Sequence, residues 1–240
     1  MGLTQRIKNN WDMATDNLAL SPKYWFISPS KLSLIRALEP TLKQLVGGRV
    51  LDVGAGKLPY KPFLNGGGRA EYVSLDIKDR GGTIDYVGDA QNLPFEKETF
   101  DVVFCSQVLE HLPEPQKALD EFARVLRPGG RLVLTVPHLG YLHNEPHDYY
   151  RYTKHGLTYM AGKTGLKVKE IRPIGGLPVF LGNILSTTLI GLTYNVPLVG
   201  RVAVKANAWF SRVVFWMDSK VDKKKLFALN YLLIGEKDKA

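Results

Sequence analysis

Three acidic residues and a pair of glycines stand where a chain can hold a nucleotide-like ligand. The stretch Leu51-Asp52-Val53-Gly54-Ala55-Gly56-Lys57-Leu58-Pro59 runs from an apolar segment into an acidic residue and then a glycine turn. Glycine is needed where the backbone turns tightly and a ligand must approach without a Cβ in the way. Asp76 follows Asp52 by 24 residues and ends a second apolar run, where a carboxylate can accept both hydroxyls of a ribose. Asp89-Ala90 leads into Leu93-Pro94-Phe95, where a carboxylate can receive an adenine amino group while Leu93 covers the ring. Ser106-Gln107-Val108-Leu109-Glu110-His111 closes the series. Each acidic residue alone is more often a solvated turn residue than a functional one. At successive strand ends, together, they outline one adenosine-shaped groove. A dinucleotide fingerprint, G-x-G-x-x-G/A, is not met, because Pro59 takes the sixth position counted from Gly54.

A second constellation suits proton chemistry. His111 and the segment His143-Asn144-Glu145-Pro146-His147-Asp148-Tyr149-Tyr150-Arg151 offer bases near the same strand ends, and His111 and His147 are the candidates for catalysis. His111 has a plainer reading as a packed turn residue before Pro113. The i,i+4 spacing of His143 and His147 is that of metal ligands on a helix, but Pro146 interrupts such a helix, so no metal is expected. Tyr149, Tyr150 and Tyr152 suit a substrate wall better than ionisation, given an unperturbed phenol pKa of about 10. Arg151 either binds a phosphate or carboxylate of the substrate or pairs with Asp148.

These residues need a scaffold that presents strand ends side by side. Residues 49–54, 71–76, 100–105 and 130–136 are short runs rich in Val, Leu and aromatics bounded by Gly or Pro, and they read as buried parallel strands. Between the last two, Ala118, Leu119, Phe122, Val125 and Leu126 share a helical face, with Pro128-Gly129-Gly130 as its stop. Thr153 is expected to cap a helix to Lys163, followed by strands over 166–171 and 229–234. Strand–helix alternation demands a parallel sheet covered on both faces, with ligands at the carboxyl ends of its strands. The expected fold is α/β and doubly wound.

The combination Val50-Leu-Asp-Val-Gly-Ala-Gly56, Leu75-Asp76, Gly88-Asp89-Ala90, Leu93-Pro94-Phe95, Phe100-Asp-Val-Val103, Leu109-Glu-His-Leu112 and Leu126-Arg-Pro-Gly-Gly130 resembles the class I S-adenosylmethionine-dependent methyltransferases of the small-molecule, type 11 branch. The resemblance covers about residues 48–172. It implies a mostly parallel seven-stranded, Rossmann-like methyltransferase fold whose last two strands form a hairpin interrupted by a hydrophobic helical insertion. It implies S-adenosylmethionine as cofactor, with Asp52, Gly54, Ala55 and Gly56 around the methionine part, Asp76 and Ile77 at the ribose, Asp89 and Ala90 at the adenine, and Ser106 close by. The family often has a third glycine where this chain has Leu58. Resembling methyltransferases of bacterial cell-surface and glycan pathways often carry a similar His-Asp-Tyr-Tyr-Arg-Tyr-Thr run, which points to a hydroxyl on a small or lipid-linked acceptor. A nicotinamide-dependent oxidoreductase and a non-catalytic, membrane-docking member of the fold are the alternatives.

Composition fits this frame. At 240 residues with 45% hydrophobic and 23% charged, the chain is ordinary globular material rather than disordered or disulfide-dense. Its organisation reads as an N-terminal helical cap (1–48), the cofactor-binding core (49–172), an insertion (173–228) and a final strand and tail (229–240). The single cysteine, Cys105, fits a reducing compartment, and charges within the first thirty residues argue against a secretory signal, so a cytoplasmic location is expected. Of the net charge of +9, the core carries only +1, while residues 1–48 hold +3 and residues 201–240 hold +5. No basic stripe crosses the core, so DNA is not expected as a partner and RNA is disfavoured.

Residues 173–200 contain no Asp, Glu, Lys or Arg, yet the apolar part is too short and polar for a bilayer crossing. Downstream, Val202, Ala206, Trp209, Val213 and Trp216 recur at helical spacing, with Arg201, Lys205 and Arg212 on another face and Lys223-Lys224-Lys225 beyond. A basic amphipathic helix with tryptophans fits the inner face of a membrane. A lid over the sheet and a homodimer contact are the competing readings.

Overall fold

The computed structural model describes residues 2–44, 47–79 and 81–239. In chain order the elements are α1 (Leu3–Leu18), α2 (Pro29–Gln44), β1 (Gly48–Val53), α3 (Lys61–Leu64), β2 (Ala70–Asp76), β3 (Tyr86–Val87), β4 (Phe100–Ser106), α4 (Pro115–Val125), β5 (Leu126–Pro137), α5 (Lys154–Lys163), β6 (Lys167–Ile174), α6 (Leu177–Thr193), α7 (Val199–Val221) and β7 (Asn230–Glu236). They form two compact units. One comprises residues 38–173 and 230–240; the other joins residues 1–37 to 174–229. Residues 1–37 of the expected N-terminal cap thus join residues 174–228 of the expected insertion in one unit, while residues 38–48 of the cap belong with the core.

The larger unit is a seven-stranded sheet in the order β3-β2-β1-β4-β5-β7-β6. β1 runs parallel to β2 and β4, β4 parallel to β5, and β7 antiparallel to β5. The late strand therefore slots between β5 and β6, as the interrupted hairpin requires. Leu51, Val53, Val103, Cys105, Leu132 and Leu134 fill the sheet's interior, and α4 lays Ala118, Leu119 and Phe122 on it, all fully buried. Burial on both faces is why these strands are continuous apolar runs with no alternation.

Two elements differ from the sequence reading. Tyr86–Val87 adds a two-residue edge strand beside Leu75–Asp76. Helix α4 ends at Val125, and Pro128-Gly129-Gly130 belongs to the start of β5, where the register with β4 shifts between Phe100 and Val102. Glycine is needed there, because a Cβ on Gly130 would lie 2.8 Å from the Arg127 carbonyl oxygen.

In the smaller unit, α6 turns its Val179, Gly182, Asn183, Ser186, Thr187, Ile190 and Gly191 inward. Leu181, Ile184, Leu185, Leu189 and Leu192 face solvent. Helix α7 likewise buries Ala203, Asn207, Ser211, Val214 and Asp218. Its tryptophan stripe points outward, with Trp209 68% and Trp216 64% exposed. Small residues let the helices approach, since a Cβ on Gly182 would lie 2.8 Å from Val214 Cγ1. Polar side chains satisfy the buried backbone: Ser186 and Asn207 donate to the Ile27 carbonyl, and Asn10 donates to that of Gly191. Among the described residues no helix is long and apolar enough to cross a membrane.

Candidate active site

The chain leaves β1 and crosses to β2 on one side, then returns to β4 on the other, so the carboxyl ends of β1 and β4 flank a topological switch point where α/β sheets bind ligands. The glycine turn sits there. Gly54 and Ala55 donate their amides to the Leu75 carbonyl at 2.8 and 3.1 Å, which ties the turn to the end of β2. Gly54 has φ +72°, and a Cβ on it would lie 2.2 Å from Val108 Cγ2. Gly56 also has positive φ, +55°, but a Cβ on it would meet nothing within 4 Å. That open face next to an acidic strand end is a cradle a cofactor fits. Leu58 takes φ +59° and holds the left-handed turn with a side chain where the family often has glycine.

Asp76 lies under this cradle. Its Oδ2 accepts from the Gly56 amide at 2.9 Å and its Oδ1 from Lys78 at 3.1 Å. It is buried, so besides any ribose contact it organises the turn. Ile77 beside it is exposed. Asp52 is deeper, 1% exposed, and accepts the Tyr72 hydroxyl at 2.7 Å. Burial pushes its carboxyl up to about 7, with the Tyr72 bond opposing and the charge of Asp76 adding. Tyr72 was not legible as a partner, since nothing in its spacing marks it.

Asp89 caps its own turn, accepting from the Gln91 amide at 2.8 Å, with Ala90 buried behind it. Leu93 belongs to the core cluster and does not stand free to cover a ring. Ser106 hydrogen-bonds Thr135 at 2.8 Å and Tyr60 at 3.0 Å, two partners the sequence did not suggest.

The 143–151 loop folds against the end of β4. The amides of Tyr149 and Tyr150 reach the Glu110 carbonyl, at 2.9 and 3.3 Å, and both rings are exposed. Tyr152 is buried and donates its hydroxyl to the Leu109 carbonyl at 2.9 Å. Arg151 grips Asp148 with two bonds of 2.7 Å and also reaches the Tyr141 and Tyr150 carbonyls. That fork holds the Asp148 carboxyl at about 2, against a smaller opposing effect of burial. Of the two roles open to Arg151, the pairing with Asp148 occupies its guanidinium.

The histidines divide. His111 Nδ1 is 2.6 Å from the His147 carbonyl oxygen, the ring of His147 is exposed with Nδ1 3.1 Å from the Tyr149 hydroxyl, and His143 lies 3.4 Å from Asp148. Burial opposes charge on His143, but Glu110 and Asp148 outweigh it and raise its pKa. Glu110, part of the Leu-Glu-His-Leu motif yet not singled out as a site residue, is fully buried between His111 and His143.

Residues 51–134 match a family model described as a methyltransferase domain. The chain is 40% identical over 99 residues to the demethylmenaquinone methyltransferase of Paenarthrobacter aurescens, a match covering 37% of this chain and 38% of that protein. It is 26% identical over 208 residues to the ubiquinone biosynthesis O-methyltransferase of Ralstonia nicotianae, covering 74% and 78%. The chain spans less than half the length of the first curated relatives it matches, 38–45%. Among solved structures, the [4+2]-cyclase SpnF superposes with a TM-score of 0.59 at 19% identity, over 85% of this chain and 81% of the other. That likeness shows the Rossmann-like fold, and a fold does not by itself name a reaction.

Proposed function

We propose, from the premise that residues 51–134 form a class I S-adenosylmethionine-dependent methyltransferase domain of the type 11 branch, that this protein methylates a hydroxyl oxygen on a small or lipid-linked acceptor. The observation that carries the cofactor half of this reading is the Gly56 turn, open on its ligand side and anchored through its amide to the Asp76 carboxylate. Asp52, Gly54, Ala55 and Gly56 would surround the methionine part, Asp76 and Ile77 the ribose, Asp89 and Ala90 the adenine, and Ser106 the near wall. Bound there, the cofactor supplies a methyl group already activated by its sulfonium, so the protein's task is alignment and proton removal.

Exchange of the cofactor's S–CH3 bond for an O–CH3 bond would require the acceptor hydroxyl to give its proton to a base of this chain. His147 suits that role. In the tautomer that donates Nδ1–H to the Tyr149 hydroxyl, 3.1 Å away, its Nε2 keeps a lone pair on an exposed ring. His111 donates Nδ1–H to the His147 carbonyl and so fixes where that ring stands. Tyr149 and Tyr150 supply the exposed aromatic wall for the acceptor.

The lipid-linked half rests on the smaller unit. Apolar faces exposed on α6 and α7, with Arg201, Lys205 and Arg212 also on α7, suit shallow insertion into an anionic bilayer surface. Trp209 and Trp216 stand exposed on this unit, as a surface that docks would need. Transfer of a radiolabelled methyl group to fractionated lipid, glycan and RNA extracts tests the whole reading: label in the lipid or glycan fraction supports it, and label confined to RNA or to no fraction rejects it.

A further inference from the structure

The Glu110 carboxylate is fully buried, and neither of its oxygens has a hydrogen-bond partner among the described residues. A buried carboxylate left unpaired is unstable as an anion, so it takes up a proton or a cation. What faces it is a pair of imidazoles. His111 Nε2 and His143 Nε2 each lie 3.8 Å from Glu110 Oε1, too far for a hydrogen bond. Both rings are oriented from behind. His111 Nδ1 is 2.6 Å from the His147 carbonyl oxygen, and His143 Nδ1 is 3.4 Å from an Asp148 carboxylate that Arg151 clamps. With a proton on each Nδ1, His143 Nε2 keeps its lone pair beside Glu110, and that of His111 faces the Asn144 amide nitrogen at 3.3 Å, a weak contact that an ion would displace. Imidazoles whose Nδ1–H is held by a carbonyl or carboxylate are the usual supports of a bound metal ion.

We propose that Glu110, His111 and His143 bind a divalent transition-metal ion, zinc in class, through one carboxylate oxygen and two Nε2 atoms. The three ligand atoms lie within 4.8 Å of one another. The ligand atoms of a tetrahedral zinc site are about 3.4 Å apart, from bonds of about 2.0–2.1 Å, so the ligand atoms close by up to about 1.4 Å on loading. Three protein ligands leave a coordination position open, and an oxygen of the acceptor is the chemistry that fits it. A metal-bound hydroxyl gives up its proton more readily, so this role for the ion rests on the methyl-transfer reading above. The site departs from the absence of metal expected from the sequence. Its ligands are also not the i,i+4 pair, because His147 contributes its carbonyl and not its ring.

The test is calorimetric titration of Zn2+ into the chelator-stripped full chain, with the Co2+ absorption spectrum as a second readout. One ion per chain is expected, with d–d bands in the visible for Co2+. Affinity should fall at least 100-fold in Glu110→Gln and in His143→Ala, and stay within threefold of the parent in His147→Ala. Thermal melts identify any variant that fails to fold, and the parent's Co2+ spectrum then carries the decision. No stoichiometric Zn2+ or Co2+ binding at 50 µM protein, about that concentration being enough to detect any useful site, overturns the proposal. So does binding insensitive to both substitutions, or lost with His147→Ala. S-adenosylmethionine titrated into the same metal-free protein keeps the two readings separate: cofactor binding without metal binding rejects only the metal site, and metal binding without cofactor binding rejects only the methyltransferase reading.

Discussion

Gly54 and Gly56 both have positive φ and sit two residues apart, yet the structure assigns them different work, so alanine at each should fail differently. A non-glycine residue in the left-handed region costs about 1–2 kcal/mol. At Gly56 that is the whole penalty, because the new Cβ meets nothing within 4 Å. At Gly54 the Cβ lands 2.2 Å from Val108 Cγ2 and 3.2 Å from its Cγ1, so overpacking of about 1–3 kcal/mol adds to the strain, about 2–5 kcal/mol in all. Urea unfolding should therefore rank Gly54→Ala well below Gly56→Ala. Val108→Ala should restore about 1–3 kcal/mol to the Gly54 variant and nothing to the other in a double-mutant cycle. Calorimetry should show the reverse ranking for function. The folded Gly56→Ala protein should bind S-adenosylmethionine at least tenfold more weakly, since its methyl fills the cradle. Equal destabilisation of the two variants, no rescue by Val108→Ala, or parental cofactor affinity in Gly56→Ala would refute the assignment.

Three further outcomes are expected. Asp52 has its folded-state carboxyl raised from 3.8 to about 7, so the folded protein binds a proton more tightly than the unfolded chain between those values. Stability should fall as pH rises from about 4 to 7, by on the order of 3–4 kcal/mol, and Asp52→Asn should flatten that slope; an unchanged slope in melts across this range counts against it. His147→Ala should lower kcat about 100-fold at unchanged cofactor affinity, whereas a loss confined to KM would make His147 a binding residue. Liposomes rich in anionic lipid should sediment the protein at low salt and release it at high salt, more weakly for Trp209→Ser/Trp216→Ser; no binding to acidic or neutral vesicles rejects the membrane reading and leaves a lid or a homodimer contact.

The central strands and the glycine turn after β1 were readable because each signal is local: a buried strand is a run of apolar residues, and a tight left-handed turn favours glycine. What was not readable depends on tertiary neighbours. Tyr86–Val87 pairs as a strand only because Leu75–Asp76 lies beside it, and two residues carry no periodicity. The apolar stripe of α7 was visible at helical spacing, but its burial was not, since the inward face is built from Asn207, Ser211 and Asp218 and the tryptophans point out. Asp218 is tolerable inside because Lys225 pairs with it, which removes one lysine of the Lys223–Lys225 run from the basic surface. Histidine spacing drew attention to His143 and His147, yet the fold joins His143 to Glu110, 33 residues earlier, through a loop no pattern predicts.

Calorimetric titration of S-adenosylmethionine, and of NAD in parallel, into the parent protein and Asp76→Ala tests the cofactor site most directly. One S-adenosylmethionine should bind per chain. Affinity should drop by about 1.5–3 kcal/mol, roughly 10- to 150-fold, in a folded Asp76→Ala variant, as for hydrogen bonds to a charged group. NAD should not bind. Parental affinity in Asp76→Ala, or binding of NAD in place of S-adenosylmethionine, would contradict the cofactor reading.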